Sequence, residues 1–98
     1  MSDKIVLAVD KTLNSLAGNR FGRSVYKEQI KDRIEKDKVN YVVIPQQIED
    51  VASSFIQGLY YELSEQYGKE RAREIMVLES ENVDVMEKIK YSLRVYML

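Results

Sequence analysis

The run VNYVVI, Val39 to Ile44, constrains this chain more than any other six residues. It is almost wholly β-branched or aromatic, and polar and apolar residues do not alternate along it. A run of that kind suits a central strand covered on both faces, because alternation is needed only where one face meets water. Pro45, the only proline, closes it. Proline has no N–H to donate to a ladder.

The segments on either side carry helical spacing. From Arg23 to Lys38, the apolar residues Val25, Tyr26, Ile30 and Ile34 fall on one face. Lys27, Glu28, Lys31, Asp32, Glu35 and Lys36 fill the remainder. Lys31 with Glu35 and Asp32 with Lys36 are favourable i,i+4 pairs, whereas Lys27 with Lys31 and Glu28 with Asp32 are like-charged. After Pro45, a second stripe runs through Phe55, Ile56, Leu59, Tyr60, Leu63 and Tyr67, and Gly68 follows as a natural C′ residue. Gly58 inside that helix costs roughly 1 kcal/mol against alanine. A small residue there lets the helix approach the sheet closely. Tyr60 and Tyr61 are adjacent and cannot both face the core, so Tyr60 packs and Tyr61 turns to solvent or a partner.

Two more strands and one more helix complete the pattern. KIVLAV (Lys4 to Val9) and EIMVLE (Glu74 to Glu79) read as strands. Asp10 to Gly22 reads as a loop with one helical turn around Leu13 to Ala17. Val83 to about Tyr96 reads as a helix with Val85 or Met86, Ile89, Leu93 and Met97 on one side. Asn82 or Ser80 is its cap. The order β-α-β-α-β-α predicts an α/β domain with a mostly parallel sheet of three strands, or four if the early loop supplies one. The 98 residues suit a single domain.

Composition removes several kinds of chemistry. Cysteine is absent, which excludes disulfides, thiolate nucleophiles and zinc-cysteine sites. Histidine is absent too, so a Ser-His-Asp arrangement within the chain is impossible. Fifteen basic against sixteen acidic residues give a net charge of −1, a poor balance for a nucleic-acid binder. Arg20, Arg23 and Lys27 form a small basic cluster that reads as a solvated helix face. There is no glycine-rich phosphate loop, and the carboxylates Glu79, Glu81 and Asp84 read as a charged loop rather than a metal site. The expectation is a non-enzymatic protein with no cofactor, no metal and no nucleic-acid partner. No apolar run reaches a bilayer-spanning length, and the N-terminus lacks a signal-peptide pattern, so the expected compartment is the cytoplasm, away from membranes. The apolar end of KIKYSLRVYML either docks on the sheet or contributes to a homodimer.

The candidate site is the stretch IEDVASSFIQ, Ile48 to Gln57. Ser54 is followed three residues later by Gln57, the Ser-x-x-Gln capping box, which explains one serine structurally. Ser53 remains. A helix N-terminus offers free N–H groups and a partial positive charge. A phosphate on Ser53 would add close to two negative charges there and extend the acidic patch of Glu49 and Asp50.

The stretch VNYVVIPQQIEDVASSFIQGLYYELSEQYG, with the strand at 74–79 and the last helix behind it, resembles the STAS domain family. It is similar above all to the STAS-like domains of unknown function in bacteria and phages. NRFGRSVYKEQI, Asn19 to Ile30, resembles that family's entry into its first helix. The resemblance covers roughly residues 5 to 95 and implies a small STAS-like α/β fold. It implies a regulatory, protein-binding role like that of the anti-sigma-factor antagonists. Those bind a serine kinase of the histidine-kinase-like ATPase fold and are phosphorylated at a serine opening the second helix, which switches partners. By position, Ser53 matches that phosphoacceptor and Ser54 the serine after it. The partner surface would comprise Glu49, Asp50, Ala52 and Phe55 with Ser54 and Gln57. The chain departs from the antagonist pattern Asp-Ser-Ser-Gly, since it reads Ala52-Ser53-Ser54-Phe55, and Ile44 stands where an acidic residue often ends the preceding strand. These departures keep a second reading open, a phage or mobile-element inhibitor that occludes a host complex.

Overall fold

The computed structural model describes residues 4–96. Its centre is a parallel sheet of three strands: β1 (Ile5–Val6), β3 (Asn40–Val43) and β5 (Met76–Glu79), in the order β1-β3-β5. The central strand therefore lies within the run at Val39 to Ile44, over Asn40–Val43, but it is fully covered on one face only: Asn40 and Val42 are buried, Tyr41 and Val43 are half-buried, and Val39 is 47% exposed. Val42 pairs with Ile5 on one side and Leu78 on the other, and all three are buried. A further strand does come from the early loop, in place of the helical turn expected around Leu13 to Ala17, but it joins a different sheet. β2 (Ser15–Leu16) pairs in parallel with β4 (Asp50–Val51), with Leu16 opposite Val51. Both of these side chains are buried, so the pair is tied to the core by its apolar members.

The first helical segment starts earlier and ends sooner than its stripe predicts. α1 spans Asn19–Val25, continues as one π-helical stretch over Tyr26–Ile30, and tightens to a 3-10 turn over Lys31–Arg33. Val25, Tyr26 and Ile30 are buried as expected, while Ile34 packs at the margin in an extended conformation. Asn40 explains the early stop. Its side chain, 7% exposed, accepts from the Glu35 N–H at 3.1 Å. Its amide nitrogen lies 2.8–3.0 Å from the carbonyl oxygens of Glu35, Lys38 and Ile75. The backbone at Glu35 is thus committed to a side chain rather than to another helical turn. The expected i,i+4 pairs do not form: Lys31 reaches Glu62 at 3.0 Å, and Glu35 pairs with Lys38 at 2.7 Å. Within the π stretch, Gln29 donates to the Ala8 carbonyl at 2.8 Å and accepts from the Ala8 N–H at 2.7 Å. A side-chain amide thereby covers the end of edge strand β1.

α2 spans Ser53–Tyr67, with Phe55, Ile56, Leu59, Tyr60 and Leu63 buried. Tyr67, the last residue of the predicted stripe, is exposed. Gly68, with φ of 87°, ends α2 and opens α3 (Lys69–Ile75). α3 is a correction, because Glu74 and Ile75 belong to this helix and the strand begins at Met76. Ala72 and Ile75 are buried at a spacing of three, which a single helical turn satisfies.

α4 spans Val83–Tyr96. Asn82 is its cap: its Oδ1 accepts from the Asp84 and Val85 N–H groups at 2.9 and 3.2 Å. Ser80 supports the cap by accepting from the Asn82 N–H at 3.0 Å. Val85 and Ile89 are buried, with Met86 and Leu93 packed at the edge, while Met97 lies outside the described residues. α2 packs against α1, α3 and α4, and α4 also lies on β4. Among the described residues, no helix is long and apolar enough to cross a membrane.

Gly58 has a different neighbour from the one expected. It faces α1 rather than the sheet. A Cβ on Gly58 would sit 3.0 Å from the Arg23 nitrogen, and one on Gly22 would sit 3.1 Å from the Gly58 Cα. The two glycines let α1 and α2 cross in backbone contact.

Candidate functional site

The start of α2 is assembled from four elements. β4 runs into Ala52, which is extended at φ −78° and ψ 149°, and α2 begins at Ser53. The Ala52 N–H donates to the Leu16 carbonyl at 2.8 Å, so the small sheet positions the first turn. Ala52 is the N-cap, and no side chain caps this helix. The predicted Ser54–Gln57 capping box is therefore corrected. Both serines lie inside the first turn, Ser53 one position and Ser54 two positions too late to cap it.

Each serine instead bridges to another element. Ser54 Oγ accepts from the Gly18 N–H at 3.0 Å, tying the residue before α1 to the start of α2. Gly18 has φ of 102°, a conformation that favours glycine. Ser53 Oγ lies 2.7 Å from Ser92 Oγ on α4, a contact in which either hydroxyl can donate. Ser92 is only 1% exposed. The tandem serines thus connect α2 to α1 on one side and to α4 on the other.

The remaining residues of the predicted surface separate into exposed and buried members. Glu49 is exposed, and its N–H donates to the Asn14 carbonyl at 2.7 Å. Asp50 is exposed and forms an ion pair with Lys88 on α4. The hydrogen bond from Lys88 holds the Asp50 carboxyl below the usual carboxylate range. The acidic patch upstream of Ser53 is thus partly neutralised by α4. Phe55 is 0% exposed and packs against Phe21 in a tilted arrangement, with ring centroids 5.4 Å apart. It is a core residue rather than part of a docking surface, and the exposed aromatic beside it is Phe21. Ile44 is likewise buried, its N–H bonded to the Glu79 carbonyl at 2.8 Å. Gln57 is half-buried and lines a shallow hollow of about 240 Å³ with Asn19, Tyr61, Ser64 and Lys69.

The neighbouring face of α1 is basic. Arg20, Arg23 and Lys27 line an open hollow of about 490 Å³ together with Asn19 and Ser24. The Arg23 guanidinium lies 4.0 Å from the centre of the Tyr61 ring. Tyr61 is 40% exposed, as its adjacency to buried Tyr60 predicts, and Arg23 occupies one face of its ring. Tyr60 donates its hydroxyl to the Met76 carbonyl at 2.7 Å, and burial pushes its phenol above the usual range.

Ser92 is the site residue that sequence reasoning missed. Its signal was present: with Val85 and Ile89 it falls at spacings of four and three, a polar residue on an apolar stripe. Buried polar groups require partners, and here the partner is Ser53. The Ser53 hydroxyl meets a neutral hydroxyl rather than a general base. Among the described residues, no three His, Cys, Asp or Glu side chains gather as a metal site. No family model matches the chain, and neither does any curated protein or solved structure.

Proposed function

We propose that the chain is a non-enzymatic, STAS-like regulatory module that binds a protein partner at the exposed surface around Glu49, Asp50 and the first turn of α2. Phosphorylation of Ser53 regulates that contact. The observation carrying this reading is the position of Ser53. It opens a 15-residue helix after a strand-loop connection, and its hydroxyl is held by one neutral hydroxyl on a separate element. The partner is a protein that includes a serine kinase of the histidine-kinase-like ATPase fold, acting in the cytoplasm. In the transfer, Ser53 Oγ bonds to the γ-phosphorus of the kinase's bound ATP. The bond to the β-phosphate oxygen breaks, ADP leaves, and the hydroxyl proton passes to a base on the kinase. The added charge and bulk at the docking surface then weaken the contact.

The test is capture from a cell lysate on the purified chain, with mass spectrometry of bait and prey. The expected result is a kinase-like ATPase among the prey and phosphate on the Ser53 peptide. Ser53→Asp is expected to lose the captured partner and Ser53→Ala to retain it. Equal capture by both variants and the unmodified chain would sink the switch.

A further inference from the structure

Ser53 is half-buried, and α4 covers it on one side, where its hydroxyl is engaged. Its Oγ is 2.7 Å from Ser92 Oγ, a hydrogen-bond length that leaves no room for another atom between them. Ser92 is 1% exposed and Ser53 is half-buried, so the contact lies at the edge of α4 with its Ser92 side closed to water. Phosphoryl transfer needs an in-line approach to the acceptor oxygen, and the product carries three more oxygens and close to two negative charges. A docked α4 obstructs both.

The end of α4 is also its weakest part. Upstream, Val85 and Ile89 are buried, and Lys88 holds Asp50 across the gap to β4. Among the described residues beyond Ile89, only Ser92 is fully buried; Leu93 packs at the margin, and Tyr91, Val95 and Tyr96 are exposed. Among the described residues, the polar contacts from other elements to this segment are the Ser53–Ser92 pair and the Arg73 guanidinium on the Leu93 carbonyl, at a long 3.3 Å. A helix end with few buried apolar contacts and exposed backbone bonds opens at low free-energy cost.

We infer that residues 90–96 form a latch over Ser53. The hydroxyl is presented to a phosphoryl donor only while the last two turns of α4 are lifted, and a phosphate on Ser53 then keeps them from docking again. This inference rests on the reading of Ser53 as a phosphoacceptor, and it adds the element that responds. The switch is then bistable, with α4 docked over a free hydroxyl or displaced by a phosphorylated one.

The experiment is hydrogen–deuterium exchange of the full chain, compared with the same chain carrying genetically encoded phosphoserine at position 53. Amides of residues 90–96 are expected to exchange at least about ten-fold faster with the phosphate present, while those of β3 and the second half of α2 keep their rates. Ser92→Ala removes one hydroxyl of the pair and is expected to speed exchange of the same segment about five-fold. Unchanged exchange at 90–96 in the phosphorylated chain overturns the latch, since it means the Ser53 side chain has rotated away beneath a docked helix. If the phosphorylated chain does not fold, wild-type exchange in Ser92→Ala overturns it instead. No kinase is needed for either measurement. Absence of phosphate on Ser53 from cells would remove the functional reading and leave the latch, whereas unchanged exchange would remove the latch and leave the functional reading.

Discussion

Gly22 on α1 and Gly58 on α2 occupy each other's side-chain space. A Cβ on Gly22 would lie 3.0 Å from the Leu59 nitrogen and closer still to the Phe55 carbonyl oxygen. These neighbours are backbone atoms of a buried helix and cannot rotate aside. Alanine would raise the helix propensity of either position by about 1 kcal/mol. The clash outweighs that gain, so Gly22→Ala and Gly58→Ala are each expected to destabilise the fold by about 2–3 kcal/mol. Urea denaturation measures this, and an alanine variant as stable as the wild type would show that the crossing is looser than described.

The two helix starts make opposite predictions. Asn82 caps α4 with two backbone bonds, so Asn82→Ala is expected to cost about 1 kcal/mol. Ala52 has the extended backbone of an N-cap and no group with which to cap α2. Ala52→Ser therefore supplies a missing acceptor and is expected to stabilise by about 0.5–1 kcal/mol. Thermal melts of the two variants should shift in opposite directions; a shared direction would contradict the assignment of Ala52 as an uncapped start.

Asn40 ties the Glu35–Lys38 turn to the Ile75 carbonyl with one amide. Asn40→Val keeps the strand-forming character but leaves the Ile75 carbonyl without that donor. A loss of about 2 kcal/mol is expected, with faster proteolysis at residues 35–38. An unaltered melt together with an unaltered cleavage pattern would mean that the turn is held by other contacts.

Alkaline pH is predicted to unfold the chain through its buried phenols. Burial foremost, then Glu62 and Tyr67, pushes Tyr26 up to about 12, and burial pushes Tyr60 up as well. In the unfolded chain these phenols titrate near 10. Between the two values the folded state binds more protons than the unfolded one, so stability falls as pH rises. The stability is fully present below about pH 10 and is lost through the window from about 10 to 12. Melting temperature followed from pH 8 upward tests this, and Tyr26→Phe should lose less across that window than the wild type. An equally steep loss in Tyr26→Phe would assign the effect to other groups.

Hydrophobic spacing alone determined a good part of this protein. It determined the central strand at Val39 to Ile44, the α/β alternation, the buried faces of α2 and α4, the division of labour between Tyr60 and Tyr61, and the capping role open to Asn82. These features depend on neighbours within a few residues along the chain, where periodicity and local hydrogen bonding act. Tertiary structure decided the rest. The partner of Gly58 is a helix rather than the sheet, α3 follows α2 directly through Gly68, and Asn40 stops the first helix short of its stripe. The serines that spacing alone reads as a cap and a free hydroxyl are both bridges, Ser54 to Gly18 and Ser53 to Ser92, across sequence separations of 36 and 39 residues. A hydroxyl satisfies its hydrogen bond with whichever group packing brings within about 3 Å. That group is chosen by how α1 and α4 settle against α2, and so it was legible only once the helices were packed.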